Sequence, residues 1–158
     1  MEDYRKKITT LENAKKEIER LKKEGKKIVF TNGCFDILHI GHTRYLYKAR
    51  ELGDFLVVAV NSDRSVKSIK GPERPVINEN ERAEMIAALG CVDMTVIFDE
   101  DTPYKTIKTL IPDILVKGGD WKEEDIVGSD IVRDAGGEVK NITYLEGAST
   151  TGIINRIK

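Results

Sequence analysis

Thr31-Asn-Gly-Cys-Phe-Asp-Ile-Leu-His-Ile-Gly-His42 separates two segments of different periodicity. Ahead of it, Lys27-Ile-Val-Phe30 is β-branched and aromatic, and behind it residues 43–52 carry apolar side chains at helical spacing. The local reading is strand, glycine-containing turn, helix. With the helix starting near Ile40, His39 and His42 lie three residues apart and face one another across its first turn. Gly41 between them has no Cβ, so a ligand can come close to the backbone. The free N–H groups of a helix N-terminus favour an anion. Residue types and spacing together point to phosphate chemistry.

Two other readings of the same residues are available. Histidines three apart are also a metal-ligand spacing, but the chain has only 2 histidines, so a zinc site would need carboxylates or scattered cysteines to complete it. A histidine pair that merely packs on a helix face explains neither Asn32-Gly33 nor Gly41. Cys34 lies in the same loop, yet nothing near it in sequence marks it as an activated thiolate.

At 158 residues the chain reads as one domain over 1–158, large enough to bury a core without disulfides or a structural metal. Its 26 basic and 27 acidic residues give a formal charge of -1, which offers no argument for nucleic acid or membrane as partner and favours a small solute. Cys34 and Cys91 form no CxxC, and no N-terminal apolar segment resembles a signal peptide or membrane span, so a reducing cytoplasm is expected. Apolar positions exposed on short helices would allow a homodimer.

Outward from the central motif, residues 1–8 are polar and read as loose. Thr9-Thr-Leu-Glu12 fits a capping box and predicts a helix over 9–24, stopped by Gly25. A strand over 27–31 and the helix to about 52 follow. Phe55-Leu-Val-Val-Ala-Val60 is continuously apolar, as in a strand covered on both faces of a parallel sheet. Residues 61–76 are polar, hold two prolines and four cationic side chains, and read as a long functional loop from which Lys67 and Lys70 could reach phosphate oxygens. Asn78-Glu-Asn-Glu81 opens a helix to about 89. Arg82 in its first turn opposes the helix dipole, which suggests an anionic partner, an ion pair with Glu79 or Glu81 being the alternative.

A third strand is expected at 94–98, then a helix with Thr102 as cap and Pro103 at its first position. A fourth strand at 114–117 runs into Gly118-Gly-Asp-Trp121, a glycine turn at a carboxyl end where ligands of open α/β sheets gather. Trp121 is either packing or ligand contact. A helix over 129–135, a strand over 139–143 and a last helix capped by Ser149 complete the chain. Five strands alternating with helices imply an α/β, Rossmann-like single parallel sheet with helices on both faces. Neither G-x-G-x-x-G after the first strand nor G-x-x-x-x-G-K-[ST] occurs, which argues against dinucleotide oxidoreductases and P-loop ATPases.

Gly33-Cys-Phe-Asp-Ile-Leu-His-Ile-Gly-His42 resembles the G-x-F-D-x-x-H-x-G-H signature of the nucleotidylyltransferase superfamily, and Glu146-Gly-Ala-Ser-Thr-Thr-Gly-Ile-Ile154 resembles its C-terminal S-T-T motif. Ala59-Val-Asn-Ser-Asp63, Lys70-Gly71, Arg74-Pro-Val76, Asp101-Thr-Pro103 and Val116-Lys-Gly-Gly-Asp120 are similar to the adenylyltransferase half of the bifunctional heptose kinase/adenylyltransferases. The similarity runs from about Thr9 to the C-terminus. It implies transfer of AMP from ATP to D-glycero-β-D-manno-heptose 1-phosphate, giving ADP-heptose for lipopolysaccharide core, with pyrophosphate released. The sugar-kinase half is absent from these residues, so a stand-alone transferase without kinase activity is expected.

The resemblance also implies roles. His39, His42 and Lys70 would be catalytic. Asn32, Gly33, Cys34, Phe35, Asp36 and Gly41 in the central motif would bind nucleotide. So would Lys67 and Arg82, then Lys117, Gly118 and Asp120 after the fourth strand, and Ser149, Thr150 and Thr151 at the last helix. Mg²⁺ would accompany ATP through phosphate oxygens and water, with Asp36 nearby and no dedicated protein site. The related glycerol-phosphate cytidylyltransferases carry Arg-Thr where this chain has Tyr144-Leu145. Transfer of CMP to glycerol 3-phosphate or a similar phosphate is the alternative, and a non-catalytic nucleotide-binding module is another.

Overall fold

The computed structural model describes residues 1–143 and 147–158. Strands β1 (Ile28–Gly33), β2 (Phe55–Asn61), β3 (Met94–Phe98), β4 (Ile114–Gly118) and β5 (Glu138–Ile142) form one sheet in the order β3-β2-β1-β4-β5. Every neighbouring pair is parallel. The chain moves outward from β1 to β3, then returns to the far side of β1 with β4. The order therefore reverses between β1 and β4, and a crevice opens there at the carboxyl ends of the strands.

Seven helices flank the sheet among the described residues: α1 (Leu11–Lys23), α2 (Ile40–Arg50), α3 (Asp63–Lys70), α4 (Glu79–Ala87), α5 (Tyr104–Leu110), α6 (Ser129–Asp134) and α7 (Thr150–Ile157). Because side chains alternate along a strand, the central strands feed two cores. Ile28, Phe30, Val57, Ala59 and Leu115 pack with Ala14 and Ile18 of α1, Ile107 of α5 and Val132 of α6. Val29, Leu56, Val58, Val60, Ile114 and Val116 pack with Leu46 and Ala49 of α2 and Ile86 of α4. Both faces are covered, which is why residues 55–60 do not alternate in polarity. Each fully buried Val, Leu or Ile contributes about 1.5–3 kcal/mol.

The opposite end of the sheet is closed by aspartates. Asp54, Asp93 and Asp113 each stand just before a strand, and their carboxylates accept from the N–H groups of Lys27, Leu56 and Ile28 respectively, all at 2.8 Å. Orphan strand donors are satisfied at the end remote from the crevice.

Four expectations change. Residues 61–76 are not one long loop: α3 occupies half of that stretch, with the Ser62 Oγ accepting from the Ser65 N–H as its cap. It buries little apolar surface besides Val66, Ser65 being held instead by Asn61 Nδ2 and the Glu100 carbonyl, so no apolar stripe marks it in sequence. Helix α1 is capped by Thr10, whose Oγ1 accepts from the Asn13 N–H; the Thr9 N–H is committed to the Thr95 carbonyl and the Thr9–Glu12 box does not form. Residues 4–8, though mostly exposed, are attached to the sheet edge and to α4. Tyr4–Lys7 make one 3₁₀ turn, Ile8 pairs in parallel with Thr95 on the edge strand β3, and the Tyr4 hydroxyl donates to Glu84 at 3.0 Å. That pairing covers part of an open sheet edge. Finally, α5 is preceded by Pro103 as cap residue with no side-chain cap bond, so Thr102 is released from capping.

Candidate active site

The carboxyl ends of β1, β2 and β4, with the N-terminal ends of α2 and α7, surround a cavity of about 590 Å³. Asn32, Gly33, Cys34, Phe35, Asp36, His39, His42, Lys70, Lys117, Ser149, Thr150 and Thr151 line it. Two motifs more than a hundred residues apart thus meet, and the Thr150 hydroxyl ties them by donating to the Ile37 carbonyl at 3.0 Å.

His39 caps α2, its Nδ1 accepting from the Gly41 N–H at 3.1 Å, while His42 Nδ1 accepts from the His39 N–H at 3.4 Å. The two rings stack with centroids 3.9 Å apart and an interplanar angle of 27°. Phe35 meets His42 edge-on at 5.4 Å. Burial lowers the His39 pKa, and burial together with the neighbouring His39 pushes His42 down to about 4. Both imidazoles are therefore neutral at pH 7. Since each Nδ1 acts as acceptor, the remaining proton sits on Nε2, and the pair offers two N–H donors.

The glycines and Phe35 make this stacking fit. A Cβ on Gly41 would lie 2.9 Å from the His39 ring and 3.1 Å from the Ala148 Cβ. The space above Gly41 is filled by protein, so this glycine admits the histidine ring and the segment before α7 where close ligand approach was expected. Phe35 holds a left-handed φ of 47° and lies over Gly33, where a Cβ would sit 3.0 Å from its ring.

Several predicted ligands turn out to be bonded to protein. Arg82 is 1% exposed. Its Nε donates to the Ile77 carbonyl, its Nη1 to the carbonyls of Cys34 and Asn61, and its Nη2 to Asp63, all within 2.6–2.8 Å. It fastens the carboxyl ends of β1 and β2 to the start of α3 and does not line the cavity. The first-turn cation does find an anion, but the anion is Asp63, not Glu79, Glu81 or a ligand. Asp36 is likewise committed: its carboxylate accepts from the Val76 and Ile77 N–H groups and from Arg74 Nε at 2.7 Å. Burial alone would push its carboxyl up, but the Ile77 and Val76 N–H groups and Arg74 outweigh it and hold it below the ordinary carboxylate range. Asp36 is thus an anchor for the segment after α3 with little capacity left for a metal.

Lys67 is exposed on the outer side of α3, and Gly41, Gly118 and Asp120 are also absent from the cavity lining. Lys117 lines it from β4, its ammonium pKa lowered by burial and by Lys70. Burial raises the Cys34 thiol pKa despite the nearby cations, so Cys34 is a protonated wall residue with no nucleophilic character.

The sequence reading missed other lining residues. Asn61, Arg74, Asp101, Thr102 and Pro103 belong to segments whose family likeness was visible, while Asp125, Ile126 and Val127 carry no pattern at all. Trp121 lines the cavity and is 53% exposed, which favours ligand contact over packing. Tyr144 and Leu145, the positions read for nucleotide preference, and Glu146 lie outside the described residues. Among the described residues, no three His, Cys, Asp or Glu side chains are grouped to hold a metal ion, and no helix is long and apolar enough to cross a membrane.

A parallel sheet with a crevice at its switch point, floored by a stacked histidine pair, has the build of a nucleotide-binding α/β fold. Residues 30–156 match the cytidylyltransferase-like family, and the chain belongs to it. Among its relatives, the bifunctional protein HldE of Syntrophotalea carbinolica is 54% identical over 155 residues, covering 98% of this chain and 32% of that protein. The bifunctional protein HldE of Geobacter metallireducens is 55% identical over 151 residues, covering 96% of this chain and 31% of that protein. The chain spans about a third of the length of these curated relatives. A lipopolysaccharide core biosynthesis protein from Thermoplasma volcanium has a crystal structure that superposes with a TM-score of 0.65 at 31% identity, over 78% of this chain and all of that one.

Proposed function

We propose that this chain transfers AMP from MgATP to D-glycero-β-D-manno-heptose 1-phosphate, forming ADP-heptose and releasing pyrophosphate. The observation that carries the proposal is the His39–His42 pair: two stacked neutral imidazoles with both Nδ1 atoms occupied by backbone N–H groups. Donors held this way need no reorganisation when charge develops on a transferring phosphoryl group. The heptose acceptor is supported by the likeness of residues 59–63, 70–76, 101–103 and 116–120 to heptose adenylyltransferases and by the HldE and lipopolysaccharide-core relatives.

In this reading a phosphate oxygen of the sugar attacks the α-phosphorus of ATP, a new P–O bond forms, and the bond to the bridging oxygen breaks with its electron pair leaving on pyrophosphate. The nucleophile is already an oxyanion, so no general base is required and catalysis is in-line positioning plus charge stabilisation. His39 and His42 donate to α- and bridging oxygens, more strongly in the five-coordinate transition state than in ground-state ATP. Lys70 and Lys117 supply cationic charge from the cavity wall. The N-terminus of α7 faces the β- and γ-phosphates. Mg²⁺ arrives as part of the nucleotide substrate, held by phosphate oxygens and water. The backbone near 117–121 and the segment before Ser149 select the base. The reaction is assigned to the cytoplasm, and Ile40 and Tyr47, exposed on α2, are the positions a homodimer would use.

The test is kcat/KM for ATP and CTP, each with heptose 1-phosphate and with glycerol 3-phosphate. ATP with heptose 1-phosphate should be fastest, by about a thousandfold over CTP, because a pocket that hydrogen-bonds one base edge leaves buried groups unpaired with another. Faster CTP with glycerol 3-phosphate would move the chain to the cytidylyl branch. Nucleotide binding without pyrophosphate release from any pair would make it a binding module.

A further inference from the structure

Arg74 lies between α3 and α4, its side chain is 14% exposed, and it lines the cavity. It meets Asp36 through Nε alone, at 2.7 Å, while the Val76 and Ile77 N–H groups occupy the rest of that carboxylate. Neither Nη1 nor Nη2 of Arg74 has a hydrogen-bond partner among the described residues, and neither is sealed from solvent. Arg82 is arranged the opposite way: all three of its guanidinium nitrogens are bonded to protein, and it does not line the cavity. An arginine needed only to neutralise Asp36 would engage it with two parallel N–H groups. Arg74 is held by one, and the rest of its planar cation is left for a ligand.

We propose that Arg74 clamps the acceptor substrate and restricts it to phosphomonoesters; this rests on the adenylyl-transfer reading above. The sheet order supports the placement. Arg74 and Lys70 follow β2, Asn61 ends it and Asp101 follows β3, so these residues reach the cavity from the β2 and β3 side of the histidines. Lys117 and Trp121 reach it from the β4 side. With the base selected near 117–121 and the β- and γ-phosphates at the start of α7, an acceptor that must enter opposite the leaving group is left with the side that Arg74 occupies. A phosphomonoester has three terminal oxygens. One forms the new bond to the α-phosphorus, and the other two match the Nη1 and Nη2 N–H groups of a guanidinium already oriented by Asp36. A phosphodiester has only two, so attack through one of them would forfeit half of the clamp. Because a buried carboxylate fixes the cation before any ligand arrives, little side-chain freedom is lost on binding. Lys70 adds a point charge on the same side.

Calorimetric titration tests this without turnover. Wild type, Arg74→Gln and Arg74→Lys are first titrated with α,β-methylene ATP and Mg²⁺, then, saturated with that analogue, with heptose 1-phosphate, its methyl phosphodiester and glycerol 3-phosphate. Arg74→Gln should weaken heptose 1-phosphate by about tenfold or more and leave the affinity for the nucleotide analogue unchanged. Arg74→Lys keeps a cation beside Asp36 but not the planar fork, so it should fall between the two, and it carries the test if Arg74→Gln does not fold. The diester should bind wild type weakly and be indifferent to both substitutions. Unchanged acceptor affinity in the variants, or equal loss of acceptor and nucleotide with a lowered melting temperature, would overturn the clamp and leave Arg74 as a partner of Asp36 only. Failure of wild type to bind any phosphomonoester would overturn it as well. Binding of glycerol 3-phosphate that depends on Arg74, without binding of heptose 1-phosphate, would sustain the clamp while removing the heptose acceptor.

Discussion

Arg82 Nη2 donates to Asp63 Oδ1 at 2.8 Å from a side chain with no solvent exposure, which makes this pair a fastener beneath the crevice and not part of its wall. Removing the arginine takes the donor from three carbonyls, that of Asn61 buried and those of Cys34 and Ile77 half-buried, and from the Asp63 carboxylate at once. Arg82→Ala should cost about 3–5 kcal/mol of stability. Asp63 is 40% exposed, and Asp63→Ala should cost only about 1 kcal/mol. Urea denaturation of both variants checks the asymmetry; equal, small shifts with weakened ATP binding would return Arg82 to the ligand.

Asp36 makes a second structural prediction. Asp36→Ala leaves the Val76 and Ile77 N–H groups and Arg74 without their acceptor, at about 2–3 kcal/mol. The segment over 71–77 should become more sensitive to trypsin at the Lys70–Gly71 bond, since Arg74 is followed by proline and is a poor tryptic site. Because the folded-state pKa of Asp36 lies below its ordinary value, its contribution is complete above pH 3.8 and is lost as pH falls through the folded value. An unchanged digestion pattern would show that the segment is held by something else.

The histidines give stability the same sign at a higher pH. His42 titrates near 4 in the folded protein against 6.5 unfolded, so the unfolded chain binds the extra proton between those values. Stability is therefore full above pH 6.5 and declines as pH falls toward 4, by on the order of 2 kcal/mol after allowance for partial exposure. Denaturation midpoints of wild type and His42→Asn between pH 7 and pH 4.5 measure this. The variant should lose less stability over the range, and parallel curves would contradict the assignment.

Lys70 and Lys67, three residues apart on α3, separate cavity from surface. Lys70→Ala should raise KM for the phosphate substrates about tenfold or lower kcat, because it removes a charge-assisted contact. Lys67→Ala should behave as wild type. Initial-rate kinetics decide it, and equal effects from the two would mean that α3 acts only through its overall charge.

The sheet was readable because its strands are continuous apolar runs buried on both faces, and the two histidines and Ser149 were readable because their roles begin with local backbone geometry at helix starts. Helix α3 was hidden because it is held by serine hydroxyls, an arginine and a single buried valine, which look like loop composition. Arg82 lies outside the cavity for a related reason: a charged residue near a site motif reads as a ligand until its partners, up to 48 residues away in sequence, are seen. Residues 121–127 show no periodicity or motif, and only the return of the chain over β4 and β5 brings them to the cavity.

The proposed catalysis rests on the Nε2–H donors of His39 and His42 acting on the α-phosphate. The direct measurement is the rate of pyrophosphate release from MgATP and heptose 1-phosphate by wild type, His39→Ala and His42→Ala, with a thermal melt at pH 7.5 for each. Each variant should remain folded at pH 7.5 with a melting temperature lowered by the lost cap contact, about 1 kcal/mol, and turn over about a hundredfold more slowly, the usual loss of one such donor. Turnover at the wild-type rate in either folded variant, or no pyrophosphate from the wild type, would contradict it.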